Sequence, residues 1–149
     1  MVNVGEPAPD FVAKDENNQE VSLSQFRGKN VLLAFFPFAF SPVCTEEHKC
    51  FRDDFSAFAN LGIQILGISV DSHWVQNAFK KSLNINHPLL SDFSKEISRK
   101  YGILRKEGFA ERAYFLIDKD GIIRYKHIME TPGTKLDDSE ILEAVKANL

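Results

Sequence analysis

Two cysteines, Cys44 and Cys50, are all that this 149-residue chain contains. A secreted disulfide framework packs more cysteines into a shorter chain, so this pair points to a reducing, cytoplasmic setting. No C-x-x-C is present, which excludes the usual dithiol redox motif. Long apolar runs are missing as well. The longest, from Val31 to Val43, is interrupted by Pro37, Ser41 and Pro42, whereas a membrane span needs about 20 apolar residues. The opening MVNVGEPAPD has neither the basic start nor the apolar stretch of a secretory leader. Positive charge is not in excess. Lys and Arg number 18 against 21 Asp and Glu, for a net charge of -3 with no basic stripe, which gives no support for nucleic-acid or anionic-membrane partners. Repeats, low-complexity segments and long linkers are absent, so residues 1–149 are read as a single domain.

What is present is ordinary globular material with an aromatic bias. Hydrophobic residues make up 44% of the chain and thirteen residues are Phe, so an aromatic-rich core is expected. Residues 10–23 predict two short strands around Asn17-Asn18. The runs Val31–Phe36, Ile63–Val70 and Ala113–Ile117 read as buried strands. The turn Asp118-Lys119-Asp120-Gly121 makes 122–128 a hairpin partner for the third run. Helical spacing places Cys44, His48, Phe51, Phe55 and Phe58 on one face of a helix over 44–60. Ser72 is expected to cap a helix carrying Val75, Ala78 and Phe79. Ser94 is expected to cap one carrying Ile97 and Tyr101 and ending at Gly102. Asp137 and Glu140 form a capping-box start for a last helix with Ile141, Leu142, Val145 and Leu149. Strands alternating with helices, closed by a hairpin, predict an α/β protein with a central mixed sheet flanked by helices on both faces.

The chemically informative segment is Phe35 to Glu47, which leaves a buried strand, crosses an apolar loop and enters a helix near Cys44. A cysteine there meets unpaired backbone N–H groups and the positive end of the helix dipole, and both stabilise negative charge on sulfur. Taken alone, Cys44 could equally be a small apolar core residue.

Its surroundings decide between the two. Pro37-x-x-x-Ser41-x-x-Cys44 resembles the P-x-x-x-[T/S]-x-x-C signature of the peroxiredoxins. Glu47, three residues after Cys44, matches that family, and so does Arg112 in the run Glu111 to Asp118. Further matches are Val4 to Phe11, Ile68 to Ser72 and Leu89 to Asp92. Within the family, the stretch Phe35 to Ser41 looks most like the AhpE-type, one-Cys group. The resemblance implies a thioredoxin-like fold with an N-terminal β extension. It implies thiol-dependent reduction of hydrogen peroxide and organic hydroperoxides, without metal or organic cofactor. Cys44 would attack a peroxide oxygen and become a sulfenic acid. Arg112, always charged and rich in donors, would favour the thiolate and hold the peroxide. Ser41 would hydrogen-bond the peroxide or the sulfur. Pro37 and Pro42, lacking N–H groups, would shield the sulfur. Glu47 would orient arginine side chains.

Cys50 stays open. It could resolve the sulfenic acid, or be structural and leave reduction to an external thiol: thioredoxin, a glutaredoxin-like protein or a low-molecular-weight thiol. On one α-helix the two cysteines would stand roughly 10 Å apart, and a disulfide needs Cα atoms within about 7 Å, so the helix would have to unwind. Family resemblance also implies a homodimer. Phe38 and Phe40 would line an apolar mouth, a subunit contact or the core.

Other readings are weaker. Cys44, His48 and Cys50 have a spacing that fits no common zinc site, and His73, His87 and His127 are dispersed in sequence. His48 therefore reads as a helix-face residue. A non-enzymatic peroxide sensor or holdase would use the same reactive Cys44.

Overall fold

Each buried run that the sequence marks as a strand is one in the structure, a computed structural model that describes residues 2–149. In chain order the strands are β1 (Val12–Asp15), β2 (Glu20–Ser22), β3 (Asn30–Phe35), β4 (Ile63–Ser69), β5 (Leu89–Ser91), β6 (Ala113–Ile117) and β7 (Ile123–Ile128). The helices are α1 (Pro42–Asp53), α2 (Phe55–Asn60), α3 (His73–Leu83), α4 (Glu96–Lys100) and α5 (Asp138–Asn148), with a 3-10 turn at Leu23–Phe26. The strands form one seven-stranded sheet in the order β2-β1-β5-β4-β3-β6-β7. β3, β4 and β5 are parallel neighbours, and the remaining pairings are antiparallel, so the sheet is mixed.

Alternation along β3 divides its side chains between two cores. Leu33 and Phe35 join Leu66, Ile68, Phe115, Ile97 and Tyr101 on one face. Leu32 and Ala34 join Ile65, Leu116, Phe51, Phe58, Ile141 and Val145 on the other. The second face is therefore covered by α1, α2 and α5, and α4 lies on the first. The parallel steps β3 to β4 and β4 to β5 cross over through α1–α2 and α3, as parallel strands require. This arrangement brings the N-terminus of α1 to the end of β3, with the start of β6 beside it. Asn18, at φ 60°, forms the turn of the N-terminal hairpin.

Four local expectations need correction. The helix over 44–60 is two helices, broken at Asp54, and it starts at Pro42 with Ser41 as N-cap. The break changes the helical phase, so Phe55 is exposed while Phe51 and Phe58 stay buried. Ser72 does cap α3 by accepting from Val75 N–H, but the buried stripe is Gln76, Phe79 and Leu83, and Ala78 faces water. Ser94 does not cap α4. Its N-cap is Lys95, and the Asp92 carboxylate accepts the Ile97 and Ser98 N–H groups. A buried carboxylate with two such donors satisfies the helix start better than a hydroxyl. Finally, β5 is an added strand, too short for its period to show in sequence. The capping box of α5 forms as expected.

Candidate active site

The loop between β3 and α1 is held from below. Phe36 N–H donates to Ile68 O at 2.9 Å, which continues the β3–β4 pairing beyond the strand. Ala39 N–H donates to Asp71 Oδ2 at 2.7 Å, and Asp71 is itself fixed by Ser69 Oγ at 2.7 Å. Gln76 Nε2 donates to Ser69 Oγ in turn. Phe40 then takes a left-handed φ of 68°, an uncommon state for a bulky residue, and turns the chain into the extended N-cap Ser41 and the first-turn Pro42.

The Ser41 side chain makes no cap hydrogen bond to the helix. Its hydroxyl instead donates to Phe38 O at 2.8 Å. The first-turn N–H groups, Val43 and Cys44 among them, therefore have neither intrahelical acceptors nor a side-chain cap. Cys44 lies in this turn, fully buried.

Arg112, at the entry to β6, reaches the sulfur. Its Nη2 donates to Cys44 Sγ at 3.0 Å, and its Nη1 to Glu47 Oε1 at 2.8 Å. Nε and Nη2 both donate to Pro132 O, at 3.1 and 3.0 Å. One Nη1 hydrogen is left without an acceptor among the described residues. Arg112 is 1% exposed. Burial disfavours its charge, but Glu47 and Cys44 beside it more than offset this and hold its pKa above the ordinary value. Tyr114, two residues on and therefore on the same side of the strand, donates its hydroxyl to Glu47 Oε2, and accepts from Leu136 N–H at 3.2 Å. Burial pushes the Glu47 carboxyl up, against the pull of Arg112 and Tyr114.

Above this assembly lies a cleft of about 280 Å3 lined by Pro37, Phe38, Ser41, Val43, Phe109 and Pro132, among others, with Arg112 at its floor. Phe38 and Phe109 face each other with ring centroids 5.0 Å apart. Phe40 points elsewhere, edge-on to Phe79.

The structure thus gathers Cys44, Arg112, Glu47, Ser41 and Pro37 into one site. Cys50 is not part of it. It sits later on the unbroken helix α1 and is half-buried, with its thiol facing Glu46 Oε1 at 3.9 Å. Burial first, then the charges of Asp138, Glu46 and Asp54, push that thiol up against the opposing effect of Lys135. Sequence reasoning missed Tyr114, Phe109 and the Pro132 carbonyl. Strand alternation from Arg112 pointed to Tyr114. Nothing in the spacing of Phe109 or Pro132 tied them to Cys44.

The profile described as AhpC/TSA family matches residues 4–126. The chain belongs to this family, that of the peroxiredoxins. Alkyl hydroperoxide reductase E of Mycobacterium tuberculosis is 39% identical, over 99% of this chain and 98% of its own. Peroxiredoxin-2 of Rattus norvegicus is 39% identical, over 97% of this chain and 78% of its own. The crystal structure of the reduced 2-Cys peroxiredoxin of Plasmodium vivax superposes with a TM-score of 0.90 at 37% identity, over 98% of this chain and 96% of that one. The fold is the thioredoxin-like fold of the peroxiredoxins, and the protein is an oxidoreductase, a thiol-dependent peroxidase.

A second buried group lies behind the site. His48 and His87 are both fully buried and are joined by a 2.9 Å contact between Nδ1 of the first and Nε2 of the second. Burial above all holds both neutral: it pushes His87 down to about 3 and His48 well below its ordinary value, helped at His48 by the neighbouring His87, which cannot share a second proton, and by Arg112, and at His87 by the charge of Lys80. The unfolded chain protonates such groups near about pH 6.5. The stability they contribute is therefore complete above that pH and lost as pH falls below it. Asp138 works in the opposite sense. Its carboxyl is pushed up by burial and by Asp54, so it favours the fold at lower pH. The histidine effect is best read as a difference. In urea unfolding, His87→Phe is expected to gain about 2 kcal/mol relative to wild type between pH 7 and pH 5. A constant difference over that range would contradict the neutral buried pair.

Proposed function

We propose that Cys44 is the peroxidatic cysteine, that Arg112 is its activating donor, and that the electrons come from an external thiol. The observation that carries this reading is the 3.0 Å contact to Cys44 Sγ from Nη2 of Arg112, a residue that lines the apolar cleft. The Cys44 thiolate attacks one oxygen of a hydroperoxide, a sulfur–oxygen bond forms and the O–O bond breaks. Sulfur is oxidised by two electrons to the sulfenic acid, and the leaving oxygen departs as water or alcohol after taking a proton. Negative charge moves from sulfur onto the two oxygens, where fixed donors act most strongly. The spare Nη1 hydrogen of Arg112 and the uncapped first-turn N–H groups are the donors available. Ser41, whose proton is committed to Phe38 O, is left as an acceptor for the peroxide O–H. Glu47 acts through Arg112, and Pro37 packs the wall of the cleft.

A reducing thiol then attacks the sulfenic sulfur and releases water, and a second thiol frees Cys44. Thioredoxin, a glutaredoxin-like protein or a small thiol can fill that place. Cys50 is assigned a structural role, because α1 is continuous through both cysteines and its thiol is held protonated by burial and acidic neighbours. The reducing compartment this scheme needs is taken to be the cytoplasm, in keeping with two free thiols. We also assign a homodimer, supported by the outermost position of β7 in the sheet and by the exposed rings of Phe40, Trp74 and Phe93. A monomer in sedimentation velocity would remove that assignment.

One equivalent of hydrogen peroxide should add one oxygen to wild type and to Cys50→Ser alike, trapped at Cys44 in intact-mass analysis. Cys44→Ser should not react. Arg112→Ala should remain folded and react about 100-fold more slowly or worse, the usual loss for one transition-state donor. Loss of two hydrogens in wild type but not in Cys50→Ser would make Cys50 the resolving thiol. No oxidation at Cys44 would end the assignment.

The carbon-rich cleft favours organic hydroperoxides, since each methylene removed from water is worth about 0.8 kcal/mol. Cumene hydroperoxide should therefore give a higher kcat/KM than hydrogen peroxide. Phe109→Ala should lower the ratio of the two by about tenfold. An unchanged ratio would show that the Phe38–Phe109 pair does not select substrate.

A further inference from the structure

His48 and His87 are not used in the chemistry above, yet they adjoin it. His48 Nε2 lies 4.0 Å from Glu47 Oε1, the same oxygen that receives Arg112 Nη1 at 2.8 Å. Aromatic rings enclose the pair. Phe36, Phe51 and Phe79 stand edge-on to His48, with centroids 4.4, 5.6 and 5.6 Å away, and Phe51 stands at 90° to His87. Room for the His48 ring is made by Gly67 on β4, where an added Cβ would lie 3.0 Å from His48 Cε1. His48 Nε2 and His87 Nδ1 have no hydrogen-bond partner among the described residues.

Two neutral imidazoles that share one hydrogen bond have only two proton arrangements. In the first, His48 Nδ1–H donates to His87 Nε2. The bare lone pair of His48 Nε2 then faces a carboxylate, and His87 Nδ1–H is stranded among aromatic rings. In the second, His87 Nε2–H donates to His48 Nδ1. His48 Nε2–H then faces the carboxylate, and only a bare nitrogen is left in the apolar pocket. The first arrangement sets a nitrogen lone pair against a carboxylate at 4.0 Å. The second sets an N–H dipole against an anion in a region of low dielectric.

We propose that His48 and His87 are positioning residues of the peroxidase site, a neutral two-imidazole chain that presents His48 Nε2–H to Glu47 and thereby steadies the carboxylate that grips Arg112. The chain runs from His87 through His48, Glu47 and Arg112 to the Cys44 sulfur. It counters the burial that pushes the Glu47 carboxyl up. The other charged or titratable groups that act on it are Arg112 and Tyr114 from β6 and its entry, Lys80 from α3, Lys135 before α5 and Asp138 at the start of α5.

The inference rests on the assignment of Cys44 and Arg112 above, and its primary test needs no peroxide. Long-range 1H–15N correlation on the reduced, 15N-labelled wild-type protein at pH 7.5 reads the tautomer of each histidine. Nε2–H on both His48 and His87 is the expected result, and Nδ1–H on both overturns the proposal. Stopped-flow oxidation of Cys44 by hydrogen peroxide supplies the functional arm. His48→Leu should slow oxidation about threefold, less than the loss of a full buried hydrogen bond would, and shift the acidic limb of the pH–rate profile to higher pH. His48→Gln, whose amide nitrogen can replace Nε2–H, should recover most of the rate and the wild-type limb. His48→Leu matching wild type in both, or His48→Gln as slow as His48→Leu, would also overturn it. Failure of the peroxidase assignment appears separately, as an unreactive Cys44 in wild type.

Discussion

The Arg112 guanidinium is almost wholly buried beneath the cleft, and the groups around the sulfur take the place of most of its water. Its hydrogens go to the Cys44 sulfur, the Glu47 carboxylate and the Pro132 carbonyl. A buried charge of this kind is tolerated only when paired and hydrogen-bonded, and removal of one partner typically costs about 3–5 kcal/mol. That requirement explains why Glu47 is buried, why Tyr114 turns its hydroxyl to the same carboxylate, and why the loop at Pro132 folds back over the site. The arginine is thus fixed before any substrate arrives, which is what a preorganised donor needs.

The fold meets that requirement by bringing three distant segments to one end of the sheet. The parallel pair β3–β4 delivers the Cys44 loop and, through Asp71, the carboxylate that anchors it. The antiparallel pair β3–β6 sets Arg112 and Tyr114 beside it. The turn after β7 supplies the Pro132 carbonyl. Below this polar cluster lies an aromatic layer of Phe36, Phe51 and Phe79 with the imidazole pair embedded in it. Above it lies a cleft walled by Phe38 and Phe109. The polar groups are thereby confined to a thin zone between two apolar ones, where their interactions are little screened.

Much of this arrangement was legible in the residues. Strands with period-two or continuous apolar runs were found where they are, because β3, β4 and β6 are buried on both faces. Cys44, Arg112, Glu47, Ser41 and Pro37 were found through linear motifs. β5, with three residues, is too short for a period to emerge, whereas α4 is marked in sequence by Ile97, Tyr101 and the Gly102 that follows, and only its cap differs. Asp92 caps α4 from five and six residues away, beyond the span of a local capping pattern. The helix break at Asp54 displaced Phe55 from the core, and no proline or glycine marked it. His48 was placed on a helix face, but its partner His87 is 39 positions away, and no local pattern joins them.

The sequence by itself determined the class of fold and the family, and it marked Cys44 and Arg112 as the candidate pair, since these follow from apolar periodicity and from motifs carried within short stretches of chain. Only the tertiary structure decided what those residues touch. The direction of the Ser41 hydroxyl, the sharing of Glu47 by Arg112 and Tyr114, the role of the Pro132 carbonyl and the meeting of His48 with His87 all depend on side chains brought together across the sheet. Such contacts form where burial removes water and leaves each polar group to find a partner in space, whatever the distance along the chain.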